Sequence, residues 1–278
     1  MCAPSDAYGP PVLEGPTPAD TPALLEDDSA EPPLFGPLPH DPPVRDFPAA
    51  VVLCFFHEVV TALATHPGPR VLTTLTSVAS ENPVWQIDVD GRPVAVVRPS
   101  MGAPATVAVL EELIALGGRC FVAVGGAGAL LPDLVLGHAV VVSGAVRDEG
   151  TSFHYLPPAR TVDADPAGVD VLQRVLTAAG VPYLTARTWT TNAIYRETRT
   201  RIARRVGEGC TTVEMEAAAL ITAARHHRVS FAQLLYAADS LAGEKWDHRG
   251  WTTAAARQPL FDLAAQAAAT WSTTDPTG

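Results

Sequence analysis

The stretch Val213-Glu214-Met215-Glu216-Ala217-Ala218-Ala219-Leu220 joins two carboxylates and a thioether to an apolar, alanine-rich run that is typical of a buried helix. It predicts a helix over Thr212–Arg225. Burying a carboxylate costs free energy unless it is paired or functional, so both glutamates need a reason. Because Glu214 and Glu216 cannot share one helical face, we expect one to cap the helix or pair with a neighbour while the other points into a cleft. The alternative is a surface helix start, where glutamate favours the positive end of the dipole.

Composition describes a chain that builds its own core. Of 278 residues, 47% are hydrophobic and 18% are charged, and no apolar run approaches the roughly 20 residues that span a bilayer. No basic leader precedes an apolar segment, so we expect no signal peptide, no membrane partner and a cytoplasmic location. The four cysteines lie far apart and are expected to be reduced. No HExxH or Cys/His cluster occurs, so neither a metal nor another cofactor is expected.

Charge and proline are concentrated at the amino end. Residues 1–43 hold eight acidic side chains, no lysine or arginine, and twelve of the 26 prolines. Eight of the eleven net negative charges therefore belong to this segment. We predict an extended or disordered arm over residues 1–45 and a folded domain over residues 46–278. The domain is nearly neutral and has no basic stripe, so a nucleic-acid partner is not expected.

Strands and helices alternate from Asp46 onward, which indicates an α/β fold. The predicted strands are Val51–Phe56, Val71–Ser77, Trp85–Val89, Pro93–Arg98, Cys120–Val124, Ala139–Val146, Tyr183–Thr188 and Leu234–Ala238. A helix is predicted after the first strand as far as Ala64, and the others are Met101–Ala115, Val169–Ala179, Tyr195–Val206, Thr212–Arg225 and Thr252–Trp271.

Three unusual segments fall at the ends of predicted strands, where ligands collect in α/β sheets. Gly125-Gly126-Ala127-Gly128 would let a ligand approach the backbone amides, although a tight turn alone also explains it. Asp239 ends an apolar run, where a carboxylate is costly unless it is hydrogen-bonded, functional or a helix cap. The Glu214–Glu216 segment is the third. Their coincidence predicts a binding cleft.

Together these segments resemble the nucleoside phosphorylase family, which holds purine nucleoside phosphorylases, uridine phosphorylases and methylthioadenosine nucleosidases. Glu-Met-Glu at 214–216 is similar to its ribose-binding signature, and the 125–128 segment is similar to its loop beneath the ribose. Residues 147–155 and 189–198 look like two further loops of the family. The resemblance covers about Pro48 to Trp251. It implies a single three-layer α/β/α domain with a mixed central sheet, and a homo-oligomer in which a neighbouring subunit closes the pocket.

The same resemblance implies cleavage of the N-glycosidic bond of a small-molecule nucleoside. Glu216 would bind the ribose hydroxyls and Asp239 would protonate the leaving base. The nucleoside-binding residues it implies are Gly126, Ala127, Gly128, Ile194, Tyr195, Glu214 and Met215. Thr198 and Thr200 occupy the positions of the uracil-reading Gln and Arg, and a shift of one residue offers Arg199 or Arg201 instead. The identity of the base therefore stays open.

The nucleophile is predicted from what the chain lacks relative to the family. Phosphorolytic relatives hold phosphate with two arginines, one in a turn after the first strand and one just before the glycine segment. This chain has no such turn after its first strand, and Ala123 stands where the second arginine is expected. Nucleosidase relatives carry a glutamate that activates water, and Glu58 matches it. We therefore expect hydrolysis with Glu58 as the base. Phosphorolysis is the alternative, with phosphate as co-substrate held by Arg98, Arg119 or another subunit's arginine. A non-catalytic nucleoside-binding or storage protein is the third reading.

Overall fold

A computed structural model describes residues 22–40, 43–249 and 254–272. The strands are β1 (Ala50–Cys54), β2 (Arg70–Thr76), β3 (Glu81–Val89), β4 (Arg92–Val97), β5 (Cys120–Ala129), β6 (Ala139–Asp148), β7 (Thr161–Asp163), β8 (Tyr183–Thr191), β9 (Cys210–Glu214) and β10 (Ser230–Ser240). The helices are α1 (His57–Ala62), α2 (Ala103–Leu116), α3 (Pro166–Ala178), α4 (Arg199–Gly207), α5 (Ala217–His226) and α6 (Arg257–Trp271). Short 3-10 turns cover Ala23–Leu25, Thr151–His154, Ile194–Arg196 and Ala254–Ala256.

The described strands form one mixed sheet in the order β10-β6-β8-β9-β5-β1-β4-β3-β2, with β7 added to β6. Strand β5 lies parallel to β1 and β10 and antiparallel to β9. Because β10 pairs with both β5 and β6, the strands β5, β9, β8, β6 and β10 close into a ring. The predicted mixed α/β sheet is confirmed, and the closed ring was not foreseen because alternating elements carry no information about which strands meet.

Helices cover both faces of the sheet. Helices α2 and α5 pack on one face, with Leu110 and Leu220 in that core, and neither leucine is accessible to solvent. Helices α1, α3 and α6 pack on the other face, around residues such as Leu172 and Phe261. This is the predicted three-layer arrangement. In the described part of the chain, no helix is long and apolar enough to cross a membrane.

Two predicted boundaries at the cleft are wrong. Residues 212–214 belong to strand β9 and α5 begins only at Ala217, because Thr211, Thr212 and Val213 are β-branched and favour a strand. Residues 125–128 continue strand β5 and do not form a loop. Their backbones pair with β10, for example Gly126 with Tyr236, and with β9, where Gly128 meets Val213. Pairing on both sides outweighs the weak strand propensity of glycine.

Two helix starts also differ from the prediction. The helix expected from Tyr195 begins at Arg199, where Thr198 accepts a hydrogen bond from the Arg201 backbone N–H at 3.4 Å and so caps it. The last helix begins at Arg257, and its predicted start at Thr252 lies outside the described residues.

Candidate active site

A cleft of about 380 Å³ opens where β1, β5, β9 and β10 end. It is lined by nearly all the residues predicted for the site: Glu58, Gly126, Ala127, Gly128, Ile194, Glu214, Met215, Glu216 and Asp239. The sequence prediction that three strand-end segments share one cleft is therefore confirmed.

Tyr195 is the exception among the predicted residues. Its side chain is 96% exposed and does not line the cleft. The resemblance to the family segment 189–198 implied that Ile194 and Tyr195 both face the base, and in the structure Ile194–Arg196 is a 3-10 turn. Successive side chains in such a turn point about 120° apart, so Ile194 faces the cleft and Tyr195 faces away from it.

Strand β5 forms the floor of the cleft and gives it a direction. Gly125 lies against Phe55, Gly126 lies against Tyr236, and a Cβ on Gly128 would come within 2.5 Å of Leu241 Cδ1 and 3.5 Å of Asp239 Oδ1. The step from Gly125 to Gly128 measures about 10 Å along a strand. The cleft therefore has two ends: a β1 end, lined by His57, Glu58 and Arg98, and a β10 end, lined by Glu197, Asp239 and Leu241.

The two glutamates of the opening stretch divide their roles as predicted. Glu214 Oε2 accepts hydrogen bonds from the backbone N–H groups of Glu216 at 2.8 Å and Ala217 at 2.6 Å, which caps α5. Its other oxygen accepts from Thr190 Oγ1 at 2.7 Å. Glu216 Oε1 accepts from the Gly102 backbone N–H at 2.6 Å, and Glu216 lines the cleft.

Burial controls the ionisation of this pair. Glu214 and Glu216 are only 7% and 6% exposed. Burial, together with the neighbouring Glu216 charge, raises the pKa of Glu214 to about 8. Burial likewise raises the pKa of Glu216 above its ordinary value. Two close buried carboxylates resist double ionisation, so the charge on one raises the pKa of the other.

Asp239 is held at the β10 end by a fold of the following chain. Backbone hydrogen bonds of 2.8 and 2.9 Å between Ser240 and Asp247 turn the chain back on itself. This brings Trp246 over the aspartate, and its indole Nε1–H donates to Asp239 Oδ2 at 2.6 Å. The carboxylate is therefore hydrogen-bonded and still lines the cleft.

Glu197 was not predicted as a site residue, although it lies in the 189–198 segment that drew attention in the sequence. It lines the cleft beside Asp239. Burial, reinforced by the Asp239 charge, raises the pKa of Glu197 to about 7. Spacing along the chain gives no sign that these two acids, 42 positions apart, meet.

At the β1 end, Glu58 is paired with an arginine that sequence reasoning missed. Arg257 Nη1 donates to Glu58 Oε1 at 2.7 Å, and Arg257 Nε donates to Tyr236 Oη at 3.0 Å. Burial opposes ionisation of Glu58, but the hydrogen bond from Arg257, a backbone hydrogen bond and the positive charge of Arg257 together hold the pKa of Glu58 below its ordinary value. The two partners are 199 positions apart, so only the fold brings them together.

The arginines that the sequence offered for binding phosphate or the base differ in whether they line the cleft. Arg98 lines the β1 end and is exposed, with no hydrogen bond or ion pair to the described residues. Arg119 donates to the Ile114 and Gly118 carbonyls outside the cleft. Arg199 donates to the Glu244 carbonyl and Arg201 lies 3.9 Å from Asp148, and neither arginine lines the cleft.

Within the described ranges, no group of three or more His, Cys, Asp or Glu side chains is placed to hold a metal ion.

Known proteins share this fold. A model of the phosphorylase superfamily matches residues 49–270, so the chain belongs to this superfamily. This confirms the family resemblance drawn from the Glu-Met-Glu and glycine segments.

Individual relatives are similar over different lengths. Uridine phosphorylase of Escherichia coli is 38% identical over 73 residues, which is 26% of this chain and 29% of the relative. A DeoD-type purine nucleoside phosphorylase of Exiguobacterium sibiricum is 29% identical over 180 residues, covering 62% and 72% of the two chains. The fold matches a crystal structure of purine nucleoside phosphorylase from Toxoplasma gondii with a TM-score of 0.72, at 18% identity and over 84% and 95% of the two chains. The chain thus spans under a third of the length of the uridine phosphorylase it matches.

Proposed function

We propose that this protein is an enzyme that cleaves the N-glycosidic bond of a nucleoside with phosphate as the nucleophile. The observation that carries the proposal is the order of groups along the β5 floor. Cations line the β1 end and carboxyl groups line the β10 end. Between them, Glu214 and Glu216 follow Val213, which pairs with Gly128 in antiparallel register, so they run back along β5 toward the β1 end. A phosphate, a ribose and a base need these groups in this order.

The proposed reaction breaks the bond between C1′ and the base nitrogen. Glu216 accepts hydrogen bonds from the ribose hydroxyls, and its negative charge stabilises the cationic sugar that develops as the bond breaks. Asp239 donates a proton to the departing base, which takes the bonding electron pair. A phosphate oxygen attacks C1′, and the products are the free base and ribose 1-phosphate. Met215 packs on the ribose, and Glu214 positions Glu216 by holding its backbone N–H.

Phosphate is favoured as the nucleophile by Arg98 and Arg257. Both line the β1 end, and Arg98 presents a guanidinium that makes no described contact. Arginine suits phosphate because its planar donors bind two oxygens at once. The arginine that phosphorolytic relatives carry before the glycine segment is replaced here by Ala123, which is fully buried. These two residues therefore supply the positive charge by a different route.

Hydrolysis, the reaction expected from the sequence, is the second candidate. It is favoured by Glu58, which lines the β1 end where a water could attack C1′. A general base works best with a pKa near the working pH. The ion pair with Arg257 lowers the pKa of Glu58, which makes it a weaker base.

A homo-oligomer belongs to the proposal as well. Met101 and Ile194 line the cleft and are still 68% and 46% exposed. A second copy of the chain placed over this rim would exclude water from the reacting groups.

Product analysis on adenosine, inosine, cytidine, uridine and methylthioadenosine tests the proposal. We expect free base and sugar 1-phosphate in equal amounts, and only when phosphate is present. Free base and free sugar in phosphate-free buffer would establish hydrolysis instead. Binding without turnover under both conditions would establish the non-catalytic nucleoside-binding protein.

A further inference from the structure

Glu197 is a carboxyl group that the proposed reaction does not use. It follows the 3-10 turn Ile194–Arg196 and is partly buried. Thr198, the next residue, caps α4, and Arg199 donates to the Glu244 carbonyl of the loop after β10. Glu197 is thus fixed beside Asp239 by its chain neighbours, while its own carboxyl oxygens have no hydrogen-bond partner among the described residues.

A second polar side chain besides Glu197 lines the cleft with an oxygen that has no hydrogen-bond partner among the described residues. Gln233 lines it from β10 and is only 2% exposed. Its side-chain oxygen Oε1 has no hydrogen-bond partner in the part of the chain that the structure describes. Since an unpaired buried polar group costs free energy, this oxygen calls for a donor from a ligand or water in the cleft.

At the β10 end the available polar groups are acceptors. Glu197 and Asp239 supply carboxyl oxygens, and the Trp246 N–H is already donated to Asp239. The remaining lining at this end is apolar: Ile194, Val213 and Leu241. The cleft arginines, Arg98 and Arg257, line the opposite side with Glu58. A ligand group placed here meets carboxyl oxygens and no cation.

We propose that Glu197 determines base specificity, and that it selects an amino-substituted base such as adenine, guanine or cytosine over one with a carbonyl at the same position. An amino group donates to a carboxylate, whereas a carbonyl oxygen faces it with like partial charge. This inference rests on the proposed function, because it takes the β10 end to hold the base.

The raised pKa of Glu197, about 7, fits this role. Near neutral pH the carboxyl changes its protonation state at little cost, so a bound amino group can draw it into the ionised, accepting form. Glu197 would discriminate between bases because its partly buried carboxylate is hydrogen-bonded only when the base carries a donor. A site built to bind a donor rejects an analogue without it, because its own polar group is left unpaired.

Two nucleoside pairs that exchange an amino group for a carbonyl test the inference. Binding of adenosine against inosine, and of cytidine against uridine, is measured by calorimetry on the full chain without phosphate. We expect the amino member of whichever pair binds to have a dissociation constant at least about tenfold lower. In Glu197→Gln, whose amide both donates and accepts, we expect the ratio to fall below about threefold.

Glu111→Gln is the matched control, because Glu111 bonds to His227 at 2.8 Å and does not line the cleft. Its ratio should equal that of the unaltered chain. Using a ratio within a pair keeps the test valid if a variant loses some folded protein, since both members are affected equally.

The outcomes separate this inference from the proposed function. A ratio near one in the unaltered chain, or an unchanged ratio in Glu197→Gln, overturns the role of Glu197 even if nucleosides are cleaved. The expected ratios without any cleavage support the role of Glu197 and overturn the proposed reaction. Absence of binding by every nucleoside of the two pairs overturns both.

Discussion

The two ends of the cleft differ in charge although one strand forms the floor of both. The β1 end places Arg98 and the Arg257–Glu58 pair around the start of the floor, whereas the β10 end places Glu197 and Asp239 around its finish. The buried Glu214–Glu216 pair separates them. An anion is attracted to the first end and repelled from the second, so a ligand with one anionic and one donor-bearing part can bind in only one direction. The proposed function therefore predicts a single orientation of the substrate along β5.

The largest effect is expected at Glu216, between the two ends of the cleft. Glu216→Gln removes the charge that stabilises the cationic sugar, so turnover should fall by about 10³-fold, the scale of losing a preorganised electrostatic contact. The fold should persist, because glutamine keeps an oxygen for the Gly102 N–H and carries no burial penalty for charge. Steady-state kinetics and thermal melting check both parts. Retained activity would remove Glu216 from the ribose site.

Asp239→Asn tests the chemistry assigned to the β10 end. Loss of the proton donor should slow turnover by about 10²-fold, a typical contribution of general acid catalysis. The loss should be much smaller for 7-methylguanosine, whose base is already cationic and needs no proton to leave. Comparing guanosine with 7-methylguanosine as substrates measures this difference. Equal losses for both would assign Asp239 to binding and not to proton transfer.

Arg98→Met tests the β1 end, and Arg119→Met is its control outside the cleft. Removing a charged hydrogen-bond donor costs about 1.5–3 kcal/mol, so the KM for phosphate should rise at least about tenfold. The KM for the nucleoside should change little, because Arg98 lies at the opposite end from the base. If the nucleoside KM rose and the phosphate KM did not, the assignment of the two ends would be reversed.

The smallest effect is expected on the pH dependence of stability, through the buried carboxyl group of Glu214. Glu214 has its pKa raised from 4.5 to about 8, so the folded protein binds more protons than the unfolded chain between these values. Stability must therefore fall as pH rises from 5 to 8, and we expect a decrease in Tm of several degrees. Glu214→Gln should flatten this slope.

Glu208→Gln is the control for the pH series. Burial opposes its ionisation, but hydrogen bonds from Arg160 and Arg205 lower the pKa of Glu208, so its contribution is already complete above pH 5. This variant should lower Tm at every pH and leave the slope unchanged. If Tm fell with pH as steeply in Glu214→Gln as in the unaltered chain, the Glu214–Glu216 pair would not be the cause of the pH dependence.

Much of the fold and part of the site could be predicted from the sequence. Apolar runs and their alternation predicted eight of the ten described strands and all six helices, but not β7 or β9. Glu216, Asp239 and the glycine segment were picked out because such residues are unusual beside apolar strands, and all of them line the cleft. The strand character of residues 125–128 was not predicted, because it depends on pairing with β9 and β10 on both sides.

The sequence also could not predict which charged residues meet at the two ends of the cleft. Arg257 meets Glu58 across 199 positions, and Glu197 meets Asp239 only because a capped turn and the loop after β10 are joined through Arg199. Such pairs leave no periodic signal. Tyr195 was expected in the pocket from its place in the family segment, and the 3-10 turn at Ile194–Arg196 directs its side chain out of the cleft.

The orientation of the substrate in the cleft is tested most directly by a crystal structure with sulfate and a nucleoside analogue that resists cleavage. We predict sulfate within hydrogen-bonding distance of Arg98 or Arg257, the ribose hydroxyls on Glu216, and the base beside Glu197 and Asp239. A base at the β1 end, or sulfate bound beside Asp239, would contradict the orientation that the charge polarity of the cleft imposes.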